Sequence, residues 1–269
     1  MPDLEIVRAF EHQIARNVVH ISVQIDGDPS VRYGTGTIFA CVSNAEYGNG
    51  AFIVTAKHVI EVPVGQEALY SLSRIGPGHN VRQATFRRRS GDTGAGPRAF
   101  WYVGKGGLDI GAVIAPARCD DGTPFLANSE FDPSAGIMVG VPLFPRELFL
   151  GEGTRVAWAG YPEVAYKVFA QWSLCYYEGV VAHAFNDREY PLYLLDGHND
   201  HGVSGGPVWW WSDKAQRVEL VGVITHYCQA SLSGFAIATA INPFCVMLES
   251  LWKPRAPGEL RSGGSPGQG

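Results

Sequence analysis

The chain has 269 residues, 46% of them apolar, and a formal net charge of −5. That is enough apolar material for one large domain or two small ones with a real core, and it excludes global disorder. The acidic balance argues against nucleic acid as the main partner, because phosphate binding needs a basic face.

No stretch reaches the roughly 18 uninterrupted apolar residues of a membrane helix, and the first residues lack the apolar core of a secretion signal. Neither membrane insertion nor export is therefore expected. The cysteines, Cys41, Cys119, Cys175, Cys228 and Cys245, are odd in number, widely spaced and without a C-x-x-C pair. A disulfide framework or zinc site is not expected from them, and a reducing, cytoplasmic compartment fits.

Taken in chain order, residues 1–16 come first as a predicted N-terminal helix. Leu4, Val7, Phe10 and Ile14 recur at helical spacing, and Asp3 stands where a cap belongs. From residue 18 the pattern changes to short apolar runs punctuated by Gly, Pro and Asp. Strands are predicted over 18–25, 36–42, 51–55, 99–103, 110–115, 155–159, 175–182, 192–195, 208–211, 220–225 and 235–238.

Many short strands of this kind predict a sandwich or barrel. Between two of them, residues 73–98 hold Arg74, Arg82, Arg87, Arg88, Arg89 and Arg98 among glycines and prolines. This stretch reads as a solvated loop, with a docking surface for an acidic partner as the other reading. Residues 242–252 predict a closing helix with Phe244, Met247, Leu248 and Leu251 on one face. The Gly/Pro/Ser-rich tail, 256–269, predicts disorder.

Three segments carry chemistry. Gly202-Val203-Ser204-Gly205-Gly206-Pro207 sets a serine among glycines immediately before a run of valine and tryptophans. It is either a tight turn into a buried strand or a serine nucleophile with backbone N–H groups exposed beside it. His58 follows the apolar run 52–56, at the rim of a predicted strand, where a rigid sheet holds a catalytic group well. Asp109 stands at the mouth of another apolar strand, 110–115. A carboxylate there costs several kcal/mol to bury unless hydrogen bonds offset it, and an imidazole N–H is a suitable partner.

The order in the chain is His58, Asp109, Ser204. Residues 202–206 also satisfy G-x-S-x-G, but that hydrolase fold needs its acid and histidine after the serine. His226 lies downstream, in a strand-like stretch too short for the missing helices.

The words TAKHV, LDIGAV and GVSGGPV, at 55–59, 108–113 and 202–208, resemble the signature segments of chymotrypsin-fold serine peptidases. Residues 34–38 and 220–225 resemble further strands of that family. Residues 234–238, GFAIA, are similar to the closing word of its bacterial HtrA-type branch. The resemblance spans roughly residues 17 to 250.

It implies an all-β fold of two six-stranded antiparallel β-barrels, with short N-terminal and C-terminal helices and a catalytic cleft between the barrels. The peptidase domain would cover 17–255. Ser204 would be the nucleophile, His58 its base and Asp109 the orienting acid, with the N–H groups of Gly202 and Ser204 as oxyanion hole.

Position 203 departs from the trypsin-like pattern: it is valine where those enzymes carry an aspartate that pairs with a freshly cut N-terminus. The Ile-Val-Gly-Gly word is also missing from the N-terminal sequence, and a PDZ-like domain after the peptidase domain is not expected. Control by loop ordering or by a regulatory protein partner is expected, and a role in stress or antiviral defence fits. His198 stands at the expected pocket floor, with Thr225, His226, Tyr227 and Gly234 on the opposite wall. These residues do not support a Lys or Arg preference, and the two histidines suit an acidic or polar side chain. The implied activity is peptide-bond hydrolysis on a protein or peptide, with no cofactor and no metal. A catalytically silent, protein-binding relative is the competing reading.

Overall fold

A computed structural model describes residues 15–40, 51–76, 80–90, 101–103, 108–126, 149–185, 191–212, 217–228 and 234–244. The N-terminal half supplies β1 (Val18–Ile25), β2 (Val31–Ala40), β3 (Ala51–Thr55), β4 (Glu67–Ile75), β5 (Val81–Arg89), β6 (Trp101–Val103) and β7 (Gly111–Ile114). These pair antiparallel in the order β5-β4-β1-β2-β3-β7-β6, a strongly curled but open sheet.

The C-terminal half supplies β8 (Arg155–Gly160), β9 (Cys175–Phe185), β10 (Leu192–Asp196), β11 (Pro207–Ser212), β12 (Arg217–Cys228) and β13 (Phe235–Ala240). They close into a six-stranded barrel, β10-β13-β12-β11-β8-β9. Two short helices interrupt the strands: α1 (Lys57–Ile60) after β3 and α2 (Glu163–Phe169) after β8.

The residue chemistry of β1 explains how the halves meet. Side chains on a strand alternate between faces. Val19, Ile21, Val23 and Ile25 enter the core of the N-terminal sheet. Val18, on the other face, packs with Ala159, Tyr161 and Trp209 of the second half. His20 shares that face, 5% exposed, with its ring 4.0 Å from that of Trp172. The closed barrel is filled separately, by Trp158, Tyr193, Leu195, Val208 and Ile224 among others. Each such side chain contributes about 1.5–3 kcal/mol of burial.

The Arg-rich stretch is the main departure from the sequence reading. It is not a loop: its described residues lie on the β4–β5 hairpin. β4 alternates cleanly, turning Ala68, Tyr70, Leu72 and Arg74 inward. Arginine at an inward position hid that period.

Arg74 is only 1% exposed. Its Nε and Nη2 donate to the Arg16 carbonyl at 3.0 and 2.7 Å, and its Nη1 donates to the Phe125 carbonyl at 2.9 Å. Those bonds offset the cost of burying a charge. On β5, Ala84 is buried and Phe86 packs against the core, with polar residues around them, as befits a strand at a sheet edge.

Of the predicted N-terminal helix, 1–16, only residues 15 and 16 are described, and they are helical together with Asn17; of the closing helix, 242–244 are described and helical. The rest of both, the tail 256–269, Cys41, Cys245 and Arg98 lie outside the described residues.

Candidate active site

β3 and β7 pair with Thr55 opposite Gly111. That register sets the end of β3 beside the entrance of β7, so His58 on α1 and Asp109 just before β7 become neighbours. The Asp109 carboxylate holds His58 twice. Its Oδ1 accepts the His58 backbone N–H at 3.0 Å, and its Oδ2 lies 2.7 Å from Nδ1. An ionised carboxylate only accepts, so Nδ1 carries the proton and Nε2 is left with a free lone pair. The Asp109 side chain is 15% exposed and that of His58 is 47% exposed. The acid is thus shielded and the base faces the solvent.

Ser204 sits on a turn of the second half, between Gly202 and Gly205, both at φ +90°. That conformation favours glycine. A Cβ on Gly205 would overlap the Thr35 carbonyl oxygen and the Thr55 hydroxyl, and would come 2.9 Å from the Ala56 nitrogen. The turn therefore presses directly on the β3–α1 junction, two residues before His58.

Hydrogen bonding around Ser204 is selective. The N–H groups of Val203, Gly205 and Gly206 donate to the carbonyls of Asp200, Ile224 and Val203, at 3.3, 2.6 and 2.8 Å. Those of Gly202 and Ser204 make no hydrogen bond among the described residues. Val203 is fully buried in the core of the closed barrel, an apolar anchor for the turn. No hydrogen bond joins the Ser204 hydroxyl to His58 among the described residues; such contacts commonly tighten only with substrate bound.

Sequence reasoning passed over the role of Thr35. The residue is fully buried and joins both halves. Its N–H donates to the Ser204 carbonyl at 2.7 Å and its carbonyl accepts the Thr55 hydroxyl at 2.6 Å. Its own hydroxyl donates to the Gly202 carbonyl at 2.8 Å and accepts the Tyr161 N–H at 3.0 Å. The signal available in sequence was its place between Gly34 and Gly36. A Cβ on Gly34 would overlap Val59 of α1 and approach the Ser204 carbonyl to 3.1 Å.

The residues assigned to substrate binding differ in their surroundings. His226 lies on β12, where the register with β13 slips between Ile224 and His226. Its Nδ1 is 3.8 Å from Asp109 Oδ2, and its ring centre is 5.8 Å from that of His58. It thus stands beside the Asp109–His58 pair. His58, Asp109 and His226 are not arranged to hold a metal ion, nor is any other such group among the described residues.

Thr225 is 1% exposed, its hydroxyl engaged with the Ile237 carbonyl and the Thr239 hydroxyl at 3.3 and 3.2 Å. His198 is exposed, its ring centre 6.2 Å from that of Tyr177. Tyr227 pairs with Ala236 through the backbone, and its side chain lies outside the described residues. Gly234 precedes β13 and is half-buried. Nearby, burial pushes the Cys175 thiol above its ordinary range, with Asp200 adding to the shift.

No protein-family model and no curated protein sequence matches this chain. Solved structures do. A Glu endopeptidase in complex with MPD overlays with a TM-score of 0.51 at 15% identity, over 88% of this chain and 90% of that one. The active form of the Rv3671c protease from M. tuberculosis gives a TM-score of 0.48 at 15% identity, over 88% and 82%. The thermostable serine protease AL20 from an extremophilic microorganism gives 0.46 at 13%, over 85% and 92%. At the first overlay's similarity the fold follows: it is chymotrypsin-like, one closed barrel beside one strongly curled half-barrel.

Proposed function

We propose that this chain is a serine endopeptidase that cleaves proteins or peptides through an acyl-enzyme. The observation that carries this reading is the packing of the Ser204 turn on the β3–α1 junction, with the His58 imidazole held by Asp109 just beyond it.

Ser204 Oγ attacks the scissile carbonyl carbon while His58 Nε2 takes the hydroxyl proton. Asp109 keeps Nδ1 protonated and stabilises the imidazolium that forms. The carbonyl oxygen becomes an oxyanion and accepts hydrogen bonds from the N–H groups of Gly202 and Ser204. Supporting that role, these two donors are unengaged among the described residues. The C–N bond then breaks, and His58 returns the proton to the leaving amine. A water, deprotonated by His58, attacks the ester; the bond to Ser204 Oγ breaks, His58 returns the proton to that oxygen, and the second product leaves as its acid.

Burial of Val203 supports control by loop ordering or a protein partner rather than by an ion pair to a new N-terminus. The closing word at 234–238 supports kinship with the HtrA-type branch, and the composition supports action in the cytoplasm. Exposed His198 and His226 favour an acidic or polar substrate side chain over lysine or arginine.

A fluorophosphonate probe tests the reading. Labelling at one site, abolished by Ser204→Ala, is expected. A folded, unlabelled protein would overturn it and favour a silent protein-binding module.

A further inference from the structure

The β4–β5 hairpin ends the open sheet on one side, with β5 outermost. The backbone register there is readable. Ser90 N–H donates to the Gln66 carbonyl at 2.7 Å, and the Gly65 N–H donates to the Ser90 carbonyl at 3.3 Å. Even-numbered residues of β5 therefore turn their backbone groups toward β4, and odd-numbered ones turn them outward.

At Gln83 and Thr85 the outward groups are already engaged, and the residue that engages them is acidic. Asp120 N–H donates to the Gln83 carbonyl at 2.9 Å. Its carboxylate accepts the Thr85 N–H at 2.7 Å and the Thr85 hydroxyl at 2.9 Å. At Arg87 and Arg89 the outward N–H and C=O make no hydrogen bond among the described residues.

The charge at that open end is one-sided. Arg87, Arg88 and Arg89 are consecutive, Arg82 precedes them, and β5 carries no acid. Among the described residues, Asp26 and Asp28 line the same cleft as Arg87, and Glu67 is paired across from Arg89. Arg87 meets Asp26 at 2.9 Å, with the two side chains 54% and 48% exposed. Such a surface pair contributes little and exchanges readily for another carboxylate. Glu67 lies across from Arg89, whose Nε donates to the Gly65 carbonyl at 3.2 Å. A second copy of this edge is disfavoured, because like charges would face each other. An extended strand of opposite charge meets both arginines and backbone groups that are unengaged among the described residues.

We propose that the edge of β5 at Arg87–Arg89 receives an extended acidic segment of a partner protein by strand addition. Backbone pairing supplies the alignment, and carboxylates beside Arg87 and Arg89 supply the selectivity. In the sheet, β5 is separated from β3, which leads to His58, by β4, β1 and β2. The proposal therefore stands whether or not the peptidase reading holds.

The test is fluorescence anisotropy of the whole chain with three labelled peptides: alternating Glu-Val, alternating Lys-Val, and a Glu-Val peptide N-methylated at alternate residues. Saturable binding of the first, weakened by salt, is expected, and no binding of the Lys-Val peptide. A loss on the order of tenfold is expected in Arg87→Gln/Arg89→Gln and for the N-methylated peptide. The thermal midpoint of the double variant serves as the check on its fold. Equal binding of the methylated peptide would reduce the contact to charge alone and overturn strand addition. Failure of the acidic peptide to bind, or indifference to the double neutralisation in a folded protein, would overturn the site.

Discussion

The two sheets of this molecule solve the same problem in opposite ways. In the C-terminal half, six strands close on themselves, so every strand has two neighbours. In the N-terminal half, the sheet ends at β5 and β6. An unpaired edge invites other strands, and β5 meets that hazard with arginines and with the Asp120 clasp. Closure is inexpensive where the core is filled by large side chains such as Trp158 and Tyr193, both fully buried. The open sheet is left with a surface it must either defend or use. The candidate site is divided the same way: the open sheet presents His58 and Asp109, and the barrel presents Ser204.

That division can be broken from either side. The largest expected effect is from Asp109→Asn, which removes what the open sheet contributes and leaves the barrel untouched. On the peptidase reading, turnover falls about 10⁴-fold with little change in folding, checked by steady-state kinetics beside urea denaturation. Comparable turnover in the variant would place the chemistry elsewhere.

The seam between the halves is tested through His20. Desolvation lowers its pKa from 6.5 to about 3, and its Nε2 has no hydrogen-bond partner among the described residues. The unfolded chain takes up this proton below about pH 6.5 and the folded chain does not until about pH 3. Stability therefore falls as pH drops through that window, by roughly 3 kcal/mol at about pH 4.5. Denaturation midpoints against pH should show the slope in the native chain and lose it in His20→Phe.

Thr35→Val strips one hydroxyl that serves both halves. It leaves the Gly202 carbonyl and the Tyr161 N–H without that partner, at an expected cost of about 1–3 kcal/mol. A fluorophosphonate labelling rate that drops more than the stability loss explains would mark Thr35 as a positioning residue for the Ser204 turn. The smallest effect belongs to the edge. Asp120→Ala should destabilise by about 1 kcal/mol and raise amide hydrogen exchange at Thr85 specifically.

Legibility in the sequence followed burial. Strands β1 and β3 were readable at their observed limits because their apolar runs are dense: Val18, Val19, Ile21, Val23 and Ile25 in one, Phe52, Ile53 and Val54 in the other. The pattern of β2 is legible only from residue 36, because Arg32, Tyr33 and Gly34 interrupt it. The stretch 73–98, which takes in the end of β4 and all of β5, reads as loop, and no strand is predicted over 67–72. The inward positions of the two strands include a buried arginine in one and only Ala84 and Phe86 as apolar inward residues in the other. In the site, the words around His58, Asp109 and Ser204 stand out because each couples an apolar strand to a polar residue at its end. Thr35 looks like an ordinary strand threonine until its four hydrogen-bond partners, drawn from distant parts of the chain, are in place.

By itself, the sequence determined the strand-rich pattern, the glycine-framed turn at Ser204 and the order of the candidate groups along the chain. Alternation and backbone conformation are local properties, carried by residues that touch in sequence. The tertiary structure alone decided that one sheet closes and the other does not, that Arg74 is buried against two carbonyls, and that His226 stands beside Asp109. Each of these depends on a register or a contact between residues far apart. Such contacts are settled by the balance of packing and desolvation over the whole fold, which no short stretch of chain carries.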